Sequence, residues 1–213
     1  MPTLDPMASS EFDVPDARTD VKVVREDDPR CRELEGLGYR LVGESWGARL
    51  RLPDPQSLSL ARAAVERVRA AGITVRELGP EAAVALHGLE TANHTVYPFT
   101  PATAHQLLDL AETRSLWANG KRVFGALDGS QLIAATVIEQ TDDHGETEFT
   151  SVRADHRSRG IGQAVKAASI LALADDGVTT FGTGGAGVNE ASLKANSALG
   201  YVLEERWRSY QRD

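Results

Sequence analysis

Hydrophobic positions along this chain follow two periods, and the change from one to the other divides the sequence into predicted strands and helices. Short runs of β-branched residues with roughly alternating polar positions predict strands at 21–26, 73–78, 123–127, 131–140, 146–152 and 178–183. Apolar residues spaced by three or four positions predict helices at 58–71, 80–93, 100–118 and 161–176. The pattern therefore predicts a fold of the mixed α and β class.

Residues at the ends of these elements agree with the pattern. Asp128-Gly129 separates two predicted strands and is a strong hairpin signal. Gly72 ends one predicted helix, Pro80 begins the next, and Thr100 is placed to cap the third. Nearer the start, a helical stretch to Leu37 precedes Gly38-Tyr39 and a hairpin-like segment that ends at residue 52.

Composition narrows the class of protein. The 213 residues, 41% of them hydrophobic, suffice for a conventional core of one or two domains. The single cysteine, Cys31, permits no internal disulfide, which fits a reducing cytoplasm. No apolar run is long enough to span a bilayer, and residues 1–20 lack a signal-peptide apolar region. We therefore expect a cytoplasmic protein.

Charge bears on the partners. The formal net charge is -8 at pH 7, whereas proteins that bind nucleic acid need clustered cations to neutralise phosphates. We expect no nucleic-acid partner and no membrane partner. The excess of acidic residues mildly favours cationic molecules as partners. The five histidines show no metal-ligand spacing, so no metal site is expected.

The stretch from Val152 to Gly162 carries the clearest chemistry. It joins a predicted strand to a predicted helix through Gly160 and Gly162, which permit positive φ and a close approach of a ligand to the backbone. A helix N-terminus offers unpaired N–H donors and about half a positive charge. Three arginines, Arg153, Arg157 and Arg159, add full charges nearby. These features together predict a pyrophosphate-binding loop.

The segment Arg157-x-x-Gly160-x-Gly162, placed after a strand, resembles the acetyl-CoA signature of the GNAT N-acetyltransferase superfamily. The similarity continues in order through a helix, a strand, Asn189, Ser192 and Asn196, and then Leu199-Gly200-Tyr201. The resemblance implies the GNAT acyl-CoA N-acyltransferase fold, a mixed, mostly antiparallel twisted sheet flanked by helices.

The resemblance also implies the reaction, which is transfer of an acetyl group from acetyl-CoA to a primary amine by direct attack in one ternary complex. The acceptor would be a small molecule or a protein. The cofactor-binding residues implied are Val152, Arg153, Arg157, Ser158, Arg159, Gly160, Ile161, Gly162, Gln163, Ala164, Asn189, Ser192 and Asn196. Among these, the first residues of the helix would offer N–H groups to the pyrophosphate, with Gln163 and Lys166 on a different face from its apolar stripe. Asn189 is also a good helix cap, which is its alternative role.

Catalytic roles follow from the same comparison. Glu148 lies four residues before Val152, where a carboxylate often serves the family as base, and Glu139 is the reserve candidate. The alternative for Glu148 is an ordinary solvated glutamate of a strand. Many members have a tyrosine acid where this chain has Asn196. Either Tyr201 or Ser192 replaces that acid, or the thiolate leaves unaided, or the protein binds the cofactor without fast turnover.

The acceptor would lie against the first two helices of the unit and their link. Tyr97, Phe99 and Trp117 are the candidate substrate-binding residues there. Aromatic residues at such places are also common in cores, and that alternative stays open for all three.

The resemblance divides the chain into four parts. Residues 1–18 are predicted to be a flexible tail and 58–72 a connecting helix, while 73–213 form the complete GNAT unit. Residues 19–57 resemble the end of a second, degenerate GNAT unit, because their Leu-Gly-Tyr and tryptophan repeat the order found near the C-terminus. Chance similarity between the two Gly-Tyr turns is the alternative. A truncated unit of this kind makes a homodimer attractive.

Two other functions compete with acetyl transfer. A catalytically silent acyl-CoA-binding module would keep the same loop without the reaction. The segment Gly182-x-Gly184-x-x-Gly187 formally matches a dinucleotide-binding motif, with a nicotinamide cofactor as its ligand, although too little chain remains after it for a βαβ unit. The GNAT resemblance instead places these glycines in a loop between a strand and a helix.

Overall fold

The computed structural model describes residues 20–52, 55–94, 100–103 and 106–212. The strands are β1 (Asp20–Arg25), β2 (Arg40–Arg51), β3 (Thr74–Leu78), β4 (Lys121–Asp128), β5 (Gln131–Thr141), β6 (His144–Val152), β7 (Thr180–Ala186) and β8 (Val202–Arg212). The helices are α1 (Arg30–Gly36), α2 (Pro55–Ala70), α3 (Ala83–Asn93), α4 (Leu110–Ser115), α5 (Ile161–Asp175) and α6 (Glu190–Ser197). The predicted tail, 1–18, lies outside the described residues, as do Tyr97 and Phe99.

The eight strands form one sheet in the order β1-β8-β2-β7-β6-β5-β4-β3. Neighbouring strands are antiparallel except for β6 and β7, which are parallel. The prediction of a mixed, mostly antiparallel sheet is therefore confirmed.

The parallel pair β6–β7 is the feature that opens the sheet. The two strands pair only from His144 and Thr180 to Glu146 and Gly182. Beyond Glu146, β6 stays paired with β5 on its other edge up to Val152, and β7 stays paired with β2. Because each strand follows a different partner, the two diverge and leave an opening between them.

Helices cover both faces of the sheet. Adjacent residues of β4 separate the faces, because Phe124 belongs to the core cluster that includes α2 and α5, whereas Val123 belongs to the cluster beneath α3. The predicted connecting helix, α2, contributes Ala61, Val65 and Val68 to the first of these clusters. Its apolar face therefore packs in the core beside α5.

The N-terminal strands are part of the same sheet. Strand β2 lies between β7 and β8, and β8 lies between β1 and β2, so the segments β1-α1-β2 and β7-α6-β8 interlock. The turns before β2 and β8 have matching glycines, Gly38 at φ +86° and Gly200 at φ +93°. Residues 20–52 thus share one sheet with residues 73–212.

The predicted hairpin before residue 52 is wrong, because residues 40–51 form a single strand. The glycines that suggest a turn accompany register shifts against β8 instead. A Cβ at Gly43 would lie 3.0 Å from the Thr100 Cβ, and one at Gly47 would lie 2.9 Å from a Glu205 carboxylate oxygen. Both glycines therefore allow close packing within a continuous strand.

The predicted helix from Thr100 to residue 118 is also wrong in extent. Helix α4 begins only after Asp109, whose side chain accepts a hydrogen bond from the Glu112 amide, while Glu112 bonds back to the Asp109 amide. This capping box sets the start of the helix. Thr100 instead forms a turn, in which its amide donates to the Thr103 hydroxyl.

The glycine-rich segment after 181 lies within β7 and not in a loop. Gly184 pairs with Gly47 and Gly185 with Trp46 in the β2–β7 ladder. The dinucleotide motif needs its glycines in a turn between strand and helix, so the nicotinamide alternative loses its basis. Among the residues that the structure describes, no helix is long and apolar enough to cross a membrane.

Candidate functional site

Two adjoining cavities lie where β6 and β7 diverge. The larger, about 500 Å³, is lined by β6, the loop after it, the first turns of α5, and α6. We call it the β6–β7 cleft. The second, about 410 Å³, lies towards α4 and includes Thr103 and Gln106. The two share wall residues, namely Thr147, Glu148, Phe149, Gly184, Asn189 and Ser192.

The loop at one end of the cleft has the geometry that its glycines predict. Gly160, the residue before α5, has φ +75°, and Ser158 also lies in the left-handed region at φ +61°. At Gly162 a Cβ would lie only 3.1 Å from a methyl carbon of Val152, so the helix can approach β6 this closely because the side chain is missing. Helix α5 therefore begins at the cleft with its first amides directed out of the helix.

The predicted amide donors differ in availability. The Ala164 amide donates to the Gly160 carbonyl at 3.0 Å and so closes the first helical bond. The amides of Ile161, Gly162 and Gln163 precede the first residue that can bond within the helix, and all three residues line the cleft. The first turn of α5 is thus the part of the loop that can receive an anion.

The three predicted arginines have three different environments. Arg157 lines the cleft, where its guanidinium donates to the Val152 carbonyl at 3.1 Å and to the Asn93 side chain at 3.0 Å. Arg153 pairs with Asp155 outside the cleft, and this contact lowers the pKa of the Asp155 carboxyl. Arg159 is exposed. Of the three, Arg157 is the one built into the cleft wall.

Glu148 lies at a β-bulge. Val137 pairs with Phe149 and Ile138 pairs with Thr147, so Glu148 is the extra residue of β6. Bulges redirect side chains, and here the carboxylate lines both cavities and accepts a 2.6 Å hydrogen bond from the Lys121 ammonium. Although burial lowers the pKa of Lys121, its ion pairs with Glu148 and with Glu139 raise it overall. The base candidate therefore faces the cleft beside a lysine that stays charged.

Helix α6 supplies the opposite wall. The Asn189 side chain accepts a hydrogen bond from the Ser192 amide at 3.1 Å, so Asn189 is the helix cap that the sequence offered as its alternative role. Asn189 also lines both cavities. Ser192 also lines both. Asn196 is 1% exposed and donates to the Ser192 carbonyl at 2.9 Å.

Lys166 is a residue of the cleft wall to which the sequence analysis gave no role. Its ammonium donates to the Asn196 side-chain oxygen at 2.6 Å and to the Thr183 hydroxyl at 2.8 Å, and the residue is 5% exposed. Burial lowers its pKa to about 7. The missed signal is the sequence of α5, which is apolar almost all round and therefore buries every face. A lysine in such a helix is a buried lysine, not one of a solvated stripe.

Two further predicted residues pack against the core clusters. Tyr201 is 5% exposed within the main cluster, and burial raises the pKa of its phenol, which bonds to Thr147 in the wall shared by the two cavities. The Trp117 indole donates to the Leu78 carbonyl at 2.8 Å and packs against the cluster beneath α3. Neither is among the described residues that line the two cavities.

Solved structures with the same arrangement identify the fold. A GCN5-related N-acetyltransferase from Sphaerobacter thermophilus matches with a TM-score of 0.69 at 16% identity, over 91% of this chain and 59% of that chain. A tandem GNAT protein from the clavulanic acid biosynthesis pathway matches with a TM-score of 0.60 at 18% identity, over 91% of this chain and 63% of that chain. This chain has the GNAT fold.

A shorter GNAT-fold structure matches part of this chain. A ribosomal-protein-alanine N-acetyltransferase from Brucella melitensis is matched over 98% of its length by 65% of this chain, with a TM-score of 0.52 and 17% identity. Conversely, the chain spans about three fifths of the length of the Sphaerobacter and tandem proteins. No protein-family model and no curated protein matches the sequence. The resemblance found at Arg157 to Gly162 is thus confirmed at the level of the GNAT fold.

Proposed function

We propose that this protein transfers an acetyl group from acetyl-CoA to a primary amine of a small molecule or a protein, by direct attack in a ternary complex. The observation that carries the proposal is the position of the Gly160 loop, which begins α5 at the end of the opening between β6 and β7. The proposed diphosphate site and an unpaired strand edge would then adjoin one cleft.

The donor fits this arrangement by its chemistry. The amides at the start of α5 would receive the pyrophosphate, where the helix dipole favours negative charge. The edge of β6 beyond Glu146 is not paired with β7, so its backbone groups between Thr147 and Val152 can bond the amides of the pantetheine arm. Amides on the same edge near the thioester would stabilise the oxyanion that forms during attack.

The acceptor amine would enter from the adjoining cavity. An amine with a lysine-like pKa of about 10.4 must lose a proton before it attacks, which costs about 4 to 5 kcal/mol at pH 7. Glu148 lines both cavities and is the carboxylate that would take this proton. Its bond to Lys121 fixes the orientation of the carboxylate in the wall between donor and acceptor.

The second candidate, an acyl-CoA-binding module without turnover, is favoured by one observation. Asn196 stands in the position of the family's tyrosine, and Tyr201, which would replace it, is not among the described residues that line the two cavities. A protein of this kind would bind the donor through the same loop and release no thiol.

Two measurements on the full chain test the proposal. Calorimetry should detect binding of CoA, and a thiol assay should detect release of CoA from acetyl-CoA across polyamines, aminoglycosides, amino acids and peptides. Binding together with amine-dependent release supports acetyl transfer. Binding without release from any acceptor would favour the silent module, and no binding of CoA would refute both.

A further inference from the structure

The cleft contains a buried amine to which the proposed function gives no role. Lys166 extends from α5 into the wall of the β6–β7 cleft, on the side of α6. Two of its three N–H donors are used by Thr183 and Asn196. The Tyr201 ring lies 5.3 Å from the Lys166 nitrogen.

We propose that Lys166 is the acid that gives a proton to the sulfur of the departing coenzyme A. This inference rests on the proposed function. Its geometric basis is that the Lys166 nitrogen is hydrogen-bonded to α6 and to β7, the two elements that form the cleft opposite β6. Asn196, which has no proton of useful acidity, would serve to orient the lysine.

The direction of the proton transfer agrees with the environment. A thiol has a pKa of about 8.5, so an ordinary lysine near 10.5 would hold its proton more tightly than the sulfur would. Burial lowers the pKa of Lys166 to about 7, which reverses this order. The transfer from Lys166 to the thiolate is then favourable, as a general acid requires.

The charged and titratable groups around Lys166 are few. Glu146 on β6 acts in the opposite direction to burial and favours the ammonium form, and its carboxylate lies 3.8 Å from Arg49 on β2. The Tyr201 phenol, whose pKa burial raises, is neutral at physiological pH. Thr183 and Asn196 carry no charge. Desolvation is therefore the dominant influence.

The step balances in atoms and charge. As the carbon–sulfur bond breaks, its electron pair stays on sulfur, an N–H bond of the Lys166 ammonium breaks, and an S–H bond forms. The neutral lysine then regains a proton from solvent, while Glu148 passes the proton of the attacking amine to solvent. The net reaction turns a neutral amine and a thioester into an amide and a thiol.

The titration of Lys166 in the CoA complex tests this role without an acceptor. Nitrogen-15 NMR of labelled lysine would follow the Lys166 side-chain nitrogen against pH in the wild type and in the control Lys194→Met, whose lysine is exposed on α6, with Lys166→Met to identify the signal. An acid for the sulfur must hold its proton less tightly than the thiol, whose ordinary pKa is about 8.5. We expect the Lys166 midpoint to lie below about 8.5 and to be the same in Lys194→Met, and we expect Lys166→Met to lower kcat for acetyl transfer at least about tenfold.

The outcomes separate this inference from the proposed function. Absence of CoA binding by the wild type would overturn both. CoA binding with a Lys166 midpoint above that of the bound thiol would overturn the role of Lys166 alone, as would an acetyl group on Lys166 after incubation with acetyl-CoA. If Lys166→Met does not fold, Asn196→Asp decides, because a carboxylate bonded to the ammonium should raise the Lys166 midpoint and slow acetyl transfer. An unchanged kcat in that variant would equally overturn the role.

Discussion

At the scale of single residues, the two glycines of the loop before α5 have different physical tasks. Gly160 needs a left-handed backbone, since its φ is +75° and no atom would crowd an added Cβ closer than 3.9 Å. Gly162 instead makes room for the Val152 side chain. Substitutions at the two positions should therefore act through different causes.

We expect Gly160→Val to weaken CoA binding at least about tenfold, because a β-branched residue disfavours positive φ and the first amides of α5 would turn away from the diphosphate. Gly177→Val is the matched control, since Gly177 has φ +92°, has open space around it, and lies at the other end of the same helix. Calorimetry with CoA measures both variants. Equal losses of affinity in the two would contradict the assignment of the loop.

Glu148 gives the second prediction at this scale. Glu148→Gln keeps the shape of the side chain but removes the base, so kcat/KM for acetyl transfer should fall by about 100-fold or more and the acidic limb of its pH profile should flatten. CoA affinity should stay the same. Glu139→Gln is the comparison, because Glu139 also contacts Lys121, at 3.5 Å, but is not among the described cavity-lining residues. A normal pH profile for Glu148→Gln would end its candidacy.

The residue scale also marks how far the sequence predicts the site. The positive φ of Gly160 and the helix cap by Asn189 are predictable, because they depend on local backbone geometry, which short motifs encode. The surroundings of Lys166 and Tyr201 are not, because they depend on packing between distant elements. In this chain both side chains are 5% exposed, and of the two only Lys166 is among the described residues that line the cleft.

At the scale of elements, β7 shows why a glycine-rich stretch can be mistaken for a loop. Its glycines fit beneath bulky side chains of neighbouring strands. A Cβ at Gly185 would lie 2.6 Å from the Trp46 ring, and Trp46 is 3% exposed and bonded through its indole to the Ala186 carbonyl. The strand depends on a partner about 140 residues away, so local composition alone predicts a turn.

We therefore expect Gly185→Ala to destabilise the protein by roughly 1–3 kcal/mol, because Trp46 is held in the core and cannot move away from the added methyl group without strain. Gly88→Ala in α3 is the control, since nothing lies within 4 Å of the place that its added methyl group would take, and alanine favours helix. Urea denaturation measures both. A Gly185→Ala variant as stable as the wild type would show that Trp46 can move aside for the added methyl group at no cost in stability.

At the scale of the whole molecule, the sequence predicts the elements better than their order in the sheet. The repeated Leu-Gly-Tyr at residues 37–39 and 199–201 indicates two related segments, and both turns indeed have glycines of positive φ. The interlocking of β2 and β8 could not be read from the sequence, because strand order depends on contacts between residues far apart in the chain. Because β2 lies between β7 and β8, residues 20–52 supply an internal strand of the sheet.

This interlocking makes the N-terminal segment necessary for folding. Strand β2 pairs with β7 on one edge and β8 on the other, and it buries Trp46, Ala48 and Leu50 in the main core. Without it, β8 loses its link to the rest of the sheet, and that core opens to water. We expect a chain that starts at residue 53 to be insoluble or to lack a cooperative thermal transition, and co-expression with a separate 1–52 fragment to restore one. Cooperative unfolding of the shortened chain alone, measured by circular dichroism, would show that the remaining strands can close the sheet without β2.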